Sequence, residues 1–180
     1  MQSNFSKDYF DLFGLPVSYH VDSDRLARRY RELQHAIHPD KHATSSDQER
    51  RLSLQLTAHV NEAFQTLKNP VLRAKYLLGL FGINPADQNV ALAPAFLGEQ
   101  MELRERLSDI ADSHGPRDEL LKMRKELENI SNDKQYQIGQ QFDFGTADAY
   151  KKAAALFHEM QFIDRLLHEI DDLELEMVAW

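Results

Sequence analysis

Two apolar stripes at helical spacing, separated by a proline, constrain the fold of this chain more than any other feature. The first stripe consists of Leu26, Tyr30, Leu33 and Ile37. The second consists of Leu52, Leu56, Val60, Ala63, Phe64 and Leu67. Residues that recur every three or four positions share one face of a helix. Pro39 ends the first helix because proline lacks a backbone N–H and disfavours the helical conformation of the preceding residue. Two such helices bury their apolar faces against each other, so we predict an antiparallel hairpin with His38, Pro39 and Asp40 exposed at its tip.

The composition fits a compact helical protein of one or two domains. The chain has 180 residues, of which 42% are hydrophobic, and it contains only 7 Gly and 6 Pro. A net charge of −8 argues against bulk nucleic-acid binding, because the chain has no excess of cations to displace counterions from phosphates. The sequence has no cysteine, which excludes disulfides and every metal site that uses a thiolate.

The beginning of the chain carries no recognisable targeting signal. Residues 1–7 are too short and too polar for a signal or transit peptide. No apolar run approaches the roughly 18 residues that a membrane span requires. We therefore expect a cytoplasmic protein that does not contact a membrane.

Local signals predict four helices in the first part of the chain. A short first helix is expected from Asp8 to Gly14, with the glycine as its C-terminal stop. Asp22 is suited to cap a second helix at about 23–37, because its carboxylate can accept hydrogen bonds from the first backbone N–H groups. The third helix is expected to end near residue 67, where Asn69 and Pro70 follow, and the fourth is expected at 71–81.

The outer face of the second helix carries a basic stripe in an otherwise acidic chain. Its members are Arg25, Arg28 and Arg29, with Arg31 and His35 nearby. One interpretation is a solvated charged face, compensated internally by Glu32. The other is electrostatic steering towards an acidic surface on a partner.

The second part of the chain is predicted to be a helical bundle behind a linker. Residues 83–94 are rich in Pro, Asn and Asp, which is typical of a linker. Helices are predicted at about 95–113, 117–137 and 146–177, separated by short breaks at 114–116 and 143–145. Short connections between long helices imply antiparallel neighbours, so we predict a three-helix bundle and no strand.

The first bundle helix has an apolar strip outside its core stripe. At about 100° per residue, the core stripe consists of Phe96, Leu103, Leu107 and Ile110. Leu97 and Met101 lie outside it, beside the carboxylates of Glu102, Glu105 and Asp109. The pattern favours a contact surface edged by acidic residues. The alternatives are isolated surface apolar residues, which are common, or a wider apolar face that buries Leu97.

The last helix places an aromatic residue beside its own core stripe. That stripe consists of Ala153, Leu156, Met160, Ile163, Leu167 and Ile170. Phe162 lies about 100° before Ile163, outside the stripe. An aromatic residue in this position suggests a second part of the contact surface. The alternative is that Leu166 shields Phe162 inside the bundle.

The sequence gives little support to an enzyme. His38, Asp40 and His42 are close in sequence and could in principle bind a metal or transfer protons. Pro39 prevents the two histidines from sharing one helical face, and no second carboxylate is placed beside them. No phosphate-binding loop, dinucleotide turn or nucleophile elbow is present. We therefore expect no catalytic residue, no metal and no cofactor.

Several motifs follow one another along the chain. They are YFDLFGLP at 9–16, HPDK at 38–41, VNEAFQTL at 60–67, NP at 69–70, RAKYLL at 73–78 and AFLGEQMELRE at 95–105. The first four resemble those of J-domain co-chaperones. The last two are similar to the HscB branch of that family, which takes part in iron-sulfur cluster assembly.

The resemblance implies an all-α, L-shaped protein with two functional parts. A J-domain with an extended last helix is implied at 1–82, a linker at 83–94 and the three-helix bundle at 95–180. The J-domain would stimulate ATP hydrolysis by the DnaK-type chaperone HscA. The residues implied in chaperone binding are Arg25, Arg28, Arg29, His38, Pro39, Asp40 and Lys41.

The resemblance also implies that the bundle binds the cluster scaffold protein IscU and delivers it to the chaperone in the bacterial cytoplasm. The residues implied in scaffold binding are Leu97, Met101, Glu102, Glu105, Asp109 and Phe162. Without cysteine, the chain would act on a cluster held by another protein. Gly98 departs from the family, which commonly has a bulky apolar residue there, so the patch is smaller. The alternative is a general J-domain protein that delivers another client.

Overall fold

A computed structural model describes residues 8–37, 47–84, 94–113 and 117–178 of the chain. These residues form helices joined by turns and loops, with no β-strand among them. The helices are α1 (Tyr9–Phe13), α2 (Ser23–Ile37), α3 (Asp47–Lys68), α4 (Pro70–Leu80), α5 (Pro94–Ala111), α6 (Arg117–Phe144) and α7 (Ala147–Val178). They divide into two compact units, Met1–Leu77 and Leu78–Trp180. The all-α class predicted from the sequence is confirmed.

The first two helices begin and end at the residues that the sequence indicates. The Asp8 carboxylate accepts a hydrogen bond from the Asp11 N–H at 2.8 Å and caps α1. Gly14 ends α1 with φ = 62°, a left-handed conformation that glycine adopts without strain. The Asp22 carboxylate accepts from the Arg25 N–H at 2.9 Å, as expected for the N-cap of α2.

The helices α2 and α3 form the predicted antiparallel hairpin. The rings of Tyr30 and Phe64 stack with their centroids 3.9 Å apart, and the Tyr30 hydroxyl donates to the Asn61 side chain at 2.9 Å. The second apolar stripe is wrong in its first member, because Leu52 is 40% exposed. In that turn of α3 the neighbouring Ser53 is buried instead.

The helix α1 and residues 70–77 of α4 complete the first unit. The Tyr9 ring stacks on Tyr76 at 4.4 Å, and the Tyr9 N–H donates to the Tyr76 hydroxyl at 2.8 Å. Arg73 on α4 is buried, stands over the Tyr19 ring at 4.9 Å and donates to the Leu67 carbonyl at 2.8 Å. Burial raises the pKa of Tyr19 to about 12, although the adjacent guanidinium acts in the opposite direction. This buried cation therefore joins α3 and α4 within the unit.

The helices α5, α6 and α7 form the predicted three-helix bundle. Arg124 near the start of α6 pairs with Asp171 near the end of α7, and Lys134 further along α6 pairs with Glu159, so these two helices are antiparallel. The core cluster consists of Phe96, Leu103, Leu107, Leu120, Met123, Leu127, Phe162, Ile163, Leu166 and Ile170. None of the described helices is both long and apolar enough to cross a membrane.

The predicted end of α6 is wrong by seven residues, since the helix continues from Gln137 to Phe144. Ile138 and Phe142 extend the buried face, and Gly145 follows the helix with φ = 64°. Of the predicted linker, residues 85–93 lie outside the described part of the chain.

Candidate interaction surfaces

The hairpin tip itself is not among the described residues. His38, Pro39, Asp40 and Lys41 all lie in the gap between α2 and α3. The described residues nearest to them in sequence are Ile37, which ends α2, and Asp47, which begins α3. The predicted role of the tip therefore stays a prediction.

The basic stripe on α2 divides into two pairs of arginines. Arg25 donates to the Gly14 carbonyl at 2.7 Å, and Arg29 pairs with Glu32 at 2.9 Å. These two guanidinium groups are thus engaged within the unit. The internal compensation by Glu32 that the sequence suggests applies to Arg29.

Arg28 and Arg31 form the outward part of the stripe. At about 100° per residue they point away from the apolar face of α2, whereas Arg25 and Arg29 lie beside that face. Both outward arginines are exposed, and neither makes an ion pair within the described part of the chain. In the sequence Arg31 is only a neighbour of the predicted stripe. Helical periodicity alone, however, places Arg31 and Arg25 on different sides of α2.

The apolar strip on α5 is exposed, as predicted. Leu97 is 51% exposed and Met101 74% exposed, while Phe96 on the opposite side is buried. Glu102, Glu105 and Asp109 are also exposed beside them. Gly98 lies in the same helix on its open side, where an added Cβ would meet no atom within 4 Å. The strip is therefore accessible. Because glycine has no side chain, the apolar area of the strip is smaller at Gly98 than it would be with a bulky apolar residue there.

The arginines of α5 are directed to the neighbouring helices. Arg106 makes two hydrogen bonds to Glu126 on α6, at 3.1 and 2.9 Å. Arg104 pairs with Glu169 on α7 at 3.5 Å. The hydrogen bonds from Arg106 lower the pKa of the Glu126 carboxyl, and the same bonds raise the pKa of Arg106. Both residues therefore stay charged at neutral pH.

The carboxylates on the outer face of α5 are left without such partners. Glu105 and Asp109 make no ion pair with any described residue, and Glu102 has only a longer-range interaction with Arg106. Because the cations of α5 are occupied elsewhere, the face beside Leu97 and Met101 is negatively charged. Such a face is complementary to a cationic partner surface.

The predicted placement of Phe162 outside the core is wrong. Phe162 is 3% exposed and meets Phe96 edge to face at 5.8 Å. The Arg104 guanidinium stands over its ring at 5.9 Å. The error arose because α7 packs against both α5 and α6, so that its buried arc is wider than one stripe. Leu166, one turn further along α7 and fully buried, was the signal in the sequence that could have indicated this.

Two family models cover most of the chain. The model of the DnaJ domain matches residues 8–76. The model of the HSCB C-terminal oligomerisation domain matches residues 92–171.

Similar proteins agree with these matches over nearly the whole length. A co-chaperone protein HscB homolog of Vibrio atlanticus (strain LGP32) is 38% identical over 173 residues, which cover 96% of this chain and 99% of the relative. The chaperone HscB structure from Vibrio cholerae has a TM-score of 0.81 at 34% identity, covering 94% of this chain and 99% of that one. The human co-chaperone protein HscB structure has a TM-score of 0.83 at 26% identity, covering 98% and 85%. On these matches, the chain belongs to the HscB family of J-domain co-chaperones.

Proposed function

We propose that this co-chaperone binds the scaffold protein IscU and delivers it to the DnaK-type chaperone HscA during iron-sulfur cluster maturation. In this proposal residues 1–82 act as the J-domain, 83–94 as a linker and 95–180 as the scaffold-binding bundle, in the bacterial cytoplasm. The observation that carries the proposal is the exposed apolar strip of α5 with an acidic edge whose carboxylates make no ion pair with any described residue. A family member with such a face can bind a client at a surface that is not part of its J-domain.

The α5 face has the chemistry of a small docking surface. Leu97 and Met101 supply exposed apolar area, and interfaces concentrate their binding energy in a few such anchors. Glu102, Glu105 and Asp109 supply charge that steers a cationic partner and fixes its orientation. We therefore propose that the complementary face of the scaffold combines an apolar depression with Lys or Arg side chains.

Phe162 takes a different part in this proposal from the other five residues. It contacts Phe96 and Arg104, which lie on either side of Leu97 and Met101 along α5. A buried ring in this position holds the helix from the core side. We propose that Phe162 supports the scaffold-binding face without touching the scaffold.

The J-domain is proposed to act through the His38-Pro39-Asp40 tip together with the outward arginines of α2. Arg28 and Arg31 are exposed on the face opposite the hairpin core. Cations held on a rigid helix raise the rate of encounter with an acidic surface. In this proposal they bring the chaperone to the tip, and the tip stimulates ATP hydrolysis.

The chain supplies no thiolate ligand of its own, since it contains no cysteine. In the proposed role the cluster is cargo that stays on the scaffold. The chain contributes binding and timing, and the hydrolysis itself takes place on the chaperone.

The test combines single-turnover ATP hydrolysis by HscA with calorimetric titration of IscU, using the full-length chain. We expect the parent to stimulate hydrolysis and to bind IscU. The His38→Gln variant should bind IscU equally well and stimulate no hydrolysis. Stimulation without IscU binding would favour a general J-domain protein that delivers another client. A parent chain that does not stimulate the chaperone would refute the proposal.

A further inference from the structure

A side chain from α3 holds the last carbonyl of α2. Ile37 ends α2, and the Ser53 hydroxyl donates a hydrogen bond to its carbonyl oxygen at 2.9 Å. Ser53 is only 7% exposed, and the bond is partly buried. The two residues are 16 positions apart in the sequence, on opposite arms of the hairpin.

This carbonyl occupies a special position in the chain. The last carbonyls of a helix have no partner within the helix. The carbonyl of Ile37 belongs to the peptide group that joins Ile37 to His38, and the atoms of a peptide group lie in one plane. A hydrogen bond to that oxygen therefore restricts the orientation of the peptide group at which α2 ends.

The donor belongs to a helix that is packed firmly against α2. The stacked rings of Tyr30 and Phe64, 3.9 Å apart, tie the two arms together further from the tip. The Ser53 hydroxyl thus holds the end of α2 in a fixed position relative to α3.

We infer that Ser53 is a positioning residue for the chaperone-stimulating tip. The inference rests on the proposed function, in which the tip stimulates ATP hydrolysis. Ser53 is buried and does not touch the chaperone. It holds the last peptide carbonyl of α2, which directly precedes His38 in the sequence, whereas the exposed arginines of α2 determine how readily the chaperone binds.

The test is chaperone ATP hydrolysis measured over a range of concentrations of the Ser53→Ala variant. A small misplacement of an effector group is sufficient to lower a rate strongly, and we expect the maximal stimulation to fall by about tenfold. The concentration that gives half of the maximal effect should stay close to that of the parent. A residue that mattered only for folding would not separate these two quantities.

Two control variants keep the inference falsifiable if Ser53→Ala also lowers stability. Thr57→Val removes a hydroxyl on the same face of α3 whose bond lies within that helix. Val60→Ala removes apolar volume from a side chain that is 2% exposed, and destabilises the same hairpin without altering the Ile37 carbonyl. At a temperature where circular dichroism shows all variants folded, both controls should retain the maximal stimulation of the parent.

Two results would overturn the inference. One is a maximal stimulation by Ser53→Ala equal to that of the parent. The other is a loss that follows melting temperature across Ser53→Ala, Thr57→Val and Val60→Ala. The His38→Gln variant, assayed beside them, distinguishes failure of the inference from failure of the proposed function. If His38→Gln still stimulates hydrolysis, the proposed function fails and the inference with it.

Discussion

The helices α2 and α5 both turn a charged face away from an apolar core, but they arrive at their charge in different ways. On α2, two of the arginines are engaged within the unit, Arg25 with the Gly14 carbonyl and Arg29 with Glu32. The outward charge is therefore smaller than the sequence suggests. On α5, Arg104 and Arg106 are engaged with α7 and α6, so the outward charge is more negative than the sequence suggests.

The difference shows that the charge of a helical face depends on which residues the neighbouring helices engage. A count of Lys, Arg, Asp and Glu along one helix includes groups that point sideways into ion pairs. Arg29, Arg104 and Arg106 contribute little to the field that a partner meets, because each one is accompanied by its counter-charge. Arg25 is held by the neutral Gly14 carbonyl and keeps its full charge. The residues that distinguish the two faces are Arg28 and Arg31 on α2, and Glu105 and Asp109 on α5.

The largest expected effect distinguishes the core that α5 covers from the exposed strip on its outer side. Replacing the buried Phe162 by Ala should lower the free energy of unfolding by about 3–5 kcal/mol, because it leaves a cavity against Phe96 and Leu166. Leu97→Ala and Met101→Ala should change it by less than about 0.5 kcal/mol, since both side chains are exposed. Urea denaturation followed by circular dichroism measures all three. Equal losses in the three variants would mean that the strip is part of the core.

The next effect concerns binding at the outer side of α5. The double variant Leu97→Ala with Met101→Ala should lose scaffold affinity by about 1–3 kcal/mol for each anchor, while remaining as stable as the parent. Isothermal titration with the scaffold protein measures this loss. Leu121→Ala is a matched control, since Leu121 is 49% exposed on α6 and lies outside the proposed face. An undiminished affinity in the double variant would remove the strip from the site.

A smaller effect should distinguish the two pairs of arginines on α2. Reversing Arg28 and Arg31 to Glu should raise the concentration needed for half-maximal chaperone stimulation several-fold at low salt, and less at high salt. Stability should barely change. Reversing Arg25 and Arg29 should instead lower the free energy of unfolding by about 1 kcal/mol, through loss of the bond to the Gly14 carbonyl. If the two double variants behaved alike in both assays, the division of the stripe would be wrong.

The smallest effect in equilibrium affinity is expected for the carboxylates of α5. Changing Glu102 and Glu105 to Gln and Asp109 to Asn should slow association with the scaffold and flatten its dependence on salt, with a modest change in the dissociation rate. Stopped-flow mixing at several ionic strengths measures both rates. Changing Glu128, an exposed carboxylate on α6, to Gln is the control. A faster dissociation with unchanged association would indicate direct contacts in place of steering.

Most of the fold could be predicted because local chemistry decides it. Asp22 and Gly14 have one obvious use each, as the N-cap of α2 and the end of α1, and the structure places them there. The periodic stripe on α5 likewise identified Phe96 and Leu103 as buried and Leu97 as exposed. The end of α6 was missed although Ile138 and Phe142 continue its apolar periodicity.

The remainder depends on contacts between elements that lie far apart in the sequence. Phe162 is buried because α5 covers it, and within α7 the burial is indicated only indirectly, by Leu166 one turn further along. Arg25 bonds to the Gly14 carbonyl just after α1, and Ser53 bonds to the Ile37 carbonyl at the end of α2. A single helical wheel cannot distinguish such a side chain from a solvated one. The tip, from His38 to Lys41, lies outside the described residues, so its role remains a prediction.

The most direct test of the account is one assay in which the two surfaces are disabled separately. ATP hydrolysis by the chaperone is measured with and without the scaffold protein, for the parent, for His38→Gln and for the double variant Leu97→Ala with Met101→Ala. We predict that the parent stimulates hydrolysis and that the scaffold increases the effect. His38→Gln should give no stimulation in either condition, and the double variant should keep the scaffold-independent stimulation and lose the increase. A double variant that retains the full increase, or a His38→Gln chain that stimulates as the parent does, would contradict the account.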